Sequence, residues 1–295
     1  IRWQMATLRK RMGEWDESEQ VGQQGLVLAE EAGDSVMAGR FAQIIGSLHT
    51  SRGNYPQALE WLLRARTLLN EAAALSSLCE ALNDLGVAYH NMGEYAQAKE
   101  VLNQSLTLAG EQQLKETYAT AIQVLGRVHY EQGEYEASYR YFQQALERLE
   151  QLGAKAQVAS TMNNLANLVR FRGEHARART LYEAALTNFR EIGEKVGISA
   201  ALNNLGITAQ EERDFERSLR YLEQSLQLKL ELNDKKGIAL VTLNMAGIYA
   251  EMGMFARARD LFLEGLAHYR QLNNRLGIGI SLYNLGEIAA RMKEY

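Results

Sequence analysis

Apolar residues recur along this chain at three- and four-residue spacing, interrupted at regular intervals by small and turn-forming residues. From Ala200 to Glu212, and again from Phe215 to Leu232, the spacing is that of an amphipathic helix, the second with Leu219, Leu222, Leu226 and Leu230 on one stripe. This two-helix unit returns every 40 residues. Gly13, Gly53, Gly93, Gly133, Gly173 and Gly253 fall on one grid, with Arg213 and Lys293 in the remaining slots. Two residues later stands Trp15, Tyr55, Tyr95, Tyr135, His175, Phe215, Phe255 or Tyr295, and three further a small residue from Ser18 to Ala258. Seven residues before the glycine lies a second small column: Gly46, Gly86, Gly126, Ala166, Gly206, Ala246 and Gly286. A register held in several columns at once marks a repeat architecture in which neighbouring units bury each other.

The grid glycine predicts a left-handed residue that ends the first helix of each unit. Arg213 and Lys293 lack that freedom, so those two turns are expected to be strained or differently shaped. Asn54, Glu94, Glu134 and Asp214 follow the grid position and place a capping or negative group at the next helix start. The one proline, Pro56, sits in a first helical turn, where its missing donor does little harm. Glycine inside a helix costs about 1 kcal/mol relative to alanine, so its recurrence at the second small column predicts a close helix crossing. The aromatic column then fills the space beside it, with Leu85, Leu125, Leu165, Leu205 and Leu285 completing the core.

The run Leu202, Asn203, Asn204, Leu205, Gly206, followed by the aromatic and the Ala or Ser of the next helix, resembles the tetratricopeptide repeat (TPR) family over essentially the whole chain. Most such repeats have about 34 residues. The 40-residue variant, with linkers such as Gly193 to Gly197 and Asn233 to Gly237, is similar to repeats of kinesin light chains, of LGN/Pins adaptors and of the sensor regions of bacterial MalT-like STAND ATPases. The resemblance implies an all-α, right-handed superhelical solenoid of antiparallel helix pairs. Its repeats are read as 35–74, 75–114, 115–154, 155–194, 195–234 and 235–274, with partial units at 1–34 and 275–295. The linker pattern fails around Ala73 and Gln113, where helices are expected to run on or the turn to differ. The start at Ile1 and the apolar Leu282, Leu285, Ile288 and Met292 of the last helix suggest a fragment of a longer protein.

In the family the first helix of each pair lines the concave side. The resemblance therefore directs attention to positions three and two before the small residue, and one and four after it. These hold Asn83, Asp84, Asn163, Asn164, Asn203, Asn204, Asn244 and Asn284, with Arg127 and Asn167 one after and Tyr130 and Arg170 four after. A side-chain amide donates and accepts at once, so a ladder of them suits the backbone of an extended peptide. Arg127 and Arg170 would select a carboxylate or phosphate. The alternative is that the asparagines satisfy neighbouring groups within the stack and the arginines form ordinary surface ion pairs.

Composition narrows the function. At 46% hydrophobic and 23% charged residues, the 295-residue chain has the balance of a folding domain. A net charge of −4 offers no general attraction for nucleic acid or an anionic membrane. The lone Cys79 forms no intrachain disulfide or cysteine zinc cage, which fits a cytoplasmic protein. None of the five histidines has metal-ligand spacing on one helical face, and no phosphate-binding glycine loop occurs. Glu211 and Glu251 occupy equivalent positions roughly 10 Å apart by helix-packing distance, a separation that repetition alone produces. The expected function is a non-catalytic scaffold, without cofactor, that binds a peptide or protein segment in the groove. The alternative is the ligand-sensing arm of a bacterial signal-transducing ATPase or transcription regulator, with a small-molecule effector as a second partner class.

Overall fold

The computed structural model describes residues 2–12 and 14–293. Among them the elements are α1 (Arg2–Met12), α2 (Trp15–Glu31), α3 (Ser35–Arg52), α4 (Tyr55–Glu71), α5 (Leu75–Met92), α6 (Tyr95–Glu111), α7 (Lys115–Glu131) and α8 (Tyr135–Gln151). They continue with α9 (Lys155–Phe171), α10 (His175–Glu191), α11 (Lys195–Glu211), α12 (Phe215–Glu231), α13 (Lys235–Glu251), α14 (Phe255–Gln271) and α15 (Arg275–Lys293). All are α-helices, arranged as successive antiparallel pairs.

A turn every twenty residues sets the period. At positions 33, 53, 73 and onward to 273 one residue takes a positive φ between 50° and 81°. After α5, Gly93 N–H donates to the His90 carbonyl (3.0 Å) and Glu94 N–H to that of Tyr89 (2.9 Å). This Schellman closure satisfies carbonyls left over by the last helical turn. The same pair of bonds forms where the residue is not glycine. Ala73 (φ 51°) and Gln113 (φ 56°) turn as the glycines do, so α4 and α6 neither run on nor end differently. Arg213 (φ 61°) is likewise strained rather than reshaped, since a side-chain-bearing residue there costs about 1–2 kcal/mol. Gly13, Tyr295 and the turn expected after Lys293 lie outside the described residues.

Capping follows the acids only in part. Asp214 accepts from Arg217 N–H (3.0 Å), and Asp34, Glu194 and Asp234 cap in the same way. Asn54, Glu94 and Glu134 make no side-chain cap. Glu134 turns instead to His129 and Lys99, although its charge still faces the positive end of α8.

Each pair closes across the small columns. A Cβ on Gly206 would stand 2.7 Å from Leu222 Cγ, so only glycine admits the leucine there. Opposite it the serine hydroxyl of the second helix bonds back: Ser218 Oγ donates to the Gly206 carbonyl (2.6 Å), as Ser138 Oγ does to Gly126 (2.7 Å). Leu85, Leu125, Leu165 and Leu205 are buried and Leu285 is partly so.

The helices form two compact units, Ile1–Ala154 and Lys155–Tyr295. In the first, α3 touches α5 and α5 touches α7; in the second, α9 touches α11 and α11 touches α13. Within each unit, second helices pack instead on the first helix of their own pair and of the next. Between α4 and α6 lies an open cleft of about 880 Å³, reached by Leu78 and Leu82 of α5. Crowded first helices and spread second helices curve each unit, so that the free face of the first helices is its inner face.

Candidate functional site

A first helix inside a unit is covered by its own partner, by the preceding second helix and by first helices beside it, so one stripe remains open. In α11 this stripe is Val196, Ala200, Asn204, Ile207 and Glu211; in α13 it is Lys236, Leu240, Asn244, Gly247 and Glu251. The four-, four-, three- and four-residue steps keep these side chains on one helical face. Counted from the small residue, the open positions are ten, six and two before and one and five after it. Positions three before and four after, also expected to line the groove, point sideways at the neighbouring first helix.

That sideways geometry builds two rungs between neighbouring first helices of the second unit. In the amide rung, Asn204 Nδ2 donates to Asn163 Oδ1 (3.1 Å) and Asn244 Nδ2 to Asn203 Oδ1 (3.0 Å), each pair 41 residues apart. Asn203 Nδ2 lies 3.4 Å from Asn204 Oδ1 and links the two steps. In the second rung, at the same offset, Arg170 bonds Glu211 and Gln210 bonds Glu251. Glu211 is also 3.2 Å from His175 Nδ1. Asn167 Oδ1 accepts from Tyr182 OH (2.6 Å), and Asn284 Nδ2 donates to its own helix at Ile280 (2.9 Å). Asn164 is half-buried and makes no hydrogen bond to another described residue.

The first unit repeats the register with different chemistry. Gln43 Nε2 donates to Asp84 Oδ2 (2.9 Å), again 41 residues on. Burial pushes the Asp84 carboxyl above its ordinary range against the pull of Lys10 and Gln43. Glu80 is raised as well, first by burial, then by Asp84 and Glu116, with Arg40 opposing. Asn83 is buried and donates to the Thr117 carbonyl (3.0 Å), tying α5 to α7. Arg127 Nη2 lies 3.1 Å from His90 Nδ1 and 3.4 Å from Asn91 Oδ1. Burial and this cation hold His90 below its ordinary range. Tyr130 leans on Tyr135 with ring centroids 5.7 Å apart.

The sequence-derived asparagines and arginines thus fall into three groups. Asn83, Asn163, Asn167, Asn203, Asn284, Arg127 and Arg170 are bonded within the stack; Asn204 and Asn244 serve the rung of the second unit and stay half-open to solvent, while in the first unit Asp84, its carboxyl raised by burial, accepts from Gln43; Asn164 has its amide free. Missed from the sequence were the positions ten and six before the small residue, and the position five after it, where Glu211 and Glu251 figure only as a carboxylate pair, was not assigned to the inner face, although all lie on the same forty-residue grid. Among the described residues no group of His, Cys, Asp and Glu could hold a metal ion, and no helix is long and apolar enough to cross a membrane.

Residues 77–151 and 157–231, together just over half of the chain, match the family model described as tetratricopeptide repeat. Residues 205–288 also match the model of anaphase-promoting complex subunit 5. No curated protein matches the chain. Among solved structures, BtubC (BKLC) from P. vanneervenii is 21% identical, with 77% of this chain and 92% of that one covered at a TM-score of 0.57. The Rap conjugation gene regulator of plasmid pLS20, solved with the Phr* peptide, is 12% identical, with 90% and 77% covered at 0.66. A signal transduction ATPase with numerous domains and a tetratricopeptide repeat sensor, from Pyrococcus horikoshii, is 14% identical at 0.66, covering 93% of this chain and 45% of its own. At these identities the likeness is one of fold.

Proposed function

This chain belongs to the tetratricopeptide repeat family, and on that premise we propose that it is a non-catalytic scaffold holding a peptide or protein segment against the inner face of its first helices. The observation that carries the reading is the row of Asn164, Asn204 and Asn244 at one stripe position of α9, α11 and α13. Asn164 offers an unengaged amide. Asn204 and Asn244 are held sideways through Nδ2, which fixes their rotamers while their carbonyl oxygens retain accepting capacity for a backbone N–H. Polar groups already held in place lose less entropy when a ligand arrives. In the second unit Asn163, Asn167, Asn203 and Asn284 hold this face in shape and Arg170 contributes to its charge; on the corresponding face of the first unit Asn83 has the holding role, and Asp84, Arg127 and Tyr130 set the charge and aromatic character. The solved complex of the pLS20 regulator with a peptide supports this use of the fold. The scaffold needs no cofactor and acts in the cytoplasm.

The test is selection of random twelve-residue peptides displayed on phage against the full chain. Peptides that bind in this way lose affinity for the Asn164→Ala, Asn204→Ala, Asn244→Ala triple variant while its circular dichroism stays unchanged. Undiminished binding would remove the inner face from consideration. A second reading, the sensing arm of a larger signal-transducing ATPase, draws on the likeness to the P. horikoshii protein, of which this chain matches under half. It predicts that a small-molecule effector raises stability by about 2.7 kcal/mol at a hundredfold excess over its dissociation constant.

A further inference from the structure

The inner face of the second unit is layered along its helices. Toward the helix N-termini it carries exposed apolar side chains, Val196 at 57% exposed, Leu240 at 46% and Ile280 at 45%, with Lys236 at the Val196 position of α13. The middle layer is the amide row of Asn164, Asn204 and Asn244. Toward the C-termini the open position holds Phe171, Glu211, Glu251 and Arg291 on α9, α11, α13 and α15, so that the acids are confined to α11 and α13. Leu240 lies on α13, which packs against α11, α12 and α14. Glu211 is already answered by Arg170 and His175. Glu251 receives only the neutral amide of Gln210 and has no ion pair among the described residues.

The dimensions favour an extended occupant. At about 1.5 Å per residue, Leu240 lies roughly 6 Å from the Asn244 layer and Glu251 about 10 Å on its other side. Neighbouring first helices stand about 10 Å apart, close to three residues of extended chain at about 3.3 Å each. A strand laid across the helices along the amides would send alternate side chains to opposite edges. One edge meets Val196, Leu240 and Ile280; the other meets Glu251, within reach of a long basic side chain. Lys236, one turn beyond Leu240 on the same stripe, disfavours the reverse placement of a cation.

Resting on the scaffold reading, we infer that the segment held by this unit is extended, apolar along one edge and carries Lys or Arg on the other. The selected phage peptides, resynthesised with a fluorescein label, test this by anisotropy against wild type, Glu251→Lys and Leu240→Ser. The expected peptides alternate apolar with basic residues, and each of these surface variants weakens them about tenfold or more, the scale of about 1.4 kcal/mol. Replacing the peptide's basic residues by Glu weakens binding to wild type and restores it to Glu251→Lys. Peptides that require Asn164, Asn204 and Asn244 yet lack the pattern, or ignore both variants, overturn this inference and leave the scaffold reading standing. Peptides indifferent to the three asparagines as well overturn both.

Discussion

Replacing Asn203 by Ala, beside Asn164 by Ala, separates an asparagine that holds the stack from one that faces the groove. Asn203 is 7% exposed, accepts from Asn244 Nδ2 at 3.0 Å and sits 3.4 Å from Asn204 Oδ1. A neutral hydrogen bond contributes about 1 kcal/mol net, and the longer contact is the weaker of the two. Asn204 and Asn244 are half-buried, so water recovers part of what they lose, while truncation leaves a small void between α11 and α13. The sum is a loss of about 1–2 kcal/mol. Asn164 has no bond to lose, and truncating a half-exposed side chain is worth within about 0.5 kcal/mol. Urea unfolding followed by circular dichroism reads both, with equal m-values required before midpoints are compared. Because repeat stacks are coupled through nearest neighbours, hydrogen exchange in α11 and α13 should locate the Asn203→Ala loss there. Equal losses for the two variants would refute the division of roles.

Other expectations follow from the turns, the core and the buried acid. Ala73→Gly should raise stability by about 0.5–1 kcal/mol in a thermal melt, since glycine removes the left-handed strain and gives back part of the gain in unfolded-chain entropy. Leu222→Ala, at a fully buried residue facing Gly206, should cost about 2–5 kcal/mol in urea. The Asp84 carboxyl is raised in the folded state, first by burial; such a group binds its proton more tightly when folded, so stability falls as pH rises from the unfolded value through the folded one. Asp84→Asn should therefore raise the melting temperature at pH 7 and narrow its gain on acidification to pH 4–5, and an unchanged melting temperature would count against a buried charge. Asp234 runs the other way: burial would raise its pKa, but the Gly237 N–H and Lys229 outweigh it and hold it below its ordinary range. Its contribution is present above about pH 4 and is lost as pH falls through the lowered value, so Asp234→Ala should destabilise at pH 7 and converge with wild type at low pH.

The repeat, its helix pairs and the small columns were legible because each rests on a local steric demand. Gly206 and Leu222 show why: the column must be small wherever the facing leucine intrudes. Glycine at the turns was a weaker guide. The closure at Ala73 and Gln113 is enforced by the packed helices on either side, and the chain accepts a strained φ rather than shift the register of the next pair. Identity at the turn thus understates the regularity of the turn.

The face itself was legible in position and much less so in role. Asn203 and Asn204 are adjacent in sequence and alike in chemistry, but one residue is about 100° of helix rotation. That angle turns Asn203 toward α13 and leaves Asn204 on the open stripe. Periodicity marks both columns equally, and only the presence of a neighbouring first helix decides which is a tie and which faces outward. The same rotation accounts for what was overlooked. Leu240 and Glu251 lie four residues before and seven after Asn244, on its stripe, yet in a sequence Leu240 reads as core and Glu251 as surface charge. Both belong to one surface because α11, α12 and α14 cover other sides of the helix and leave that stripe open. In a stacked-helix protein the order of the columns follows from the sequence; the direction in which each column looks follows from what the next repeat covers.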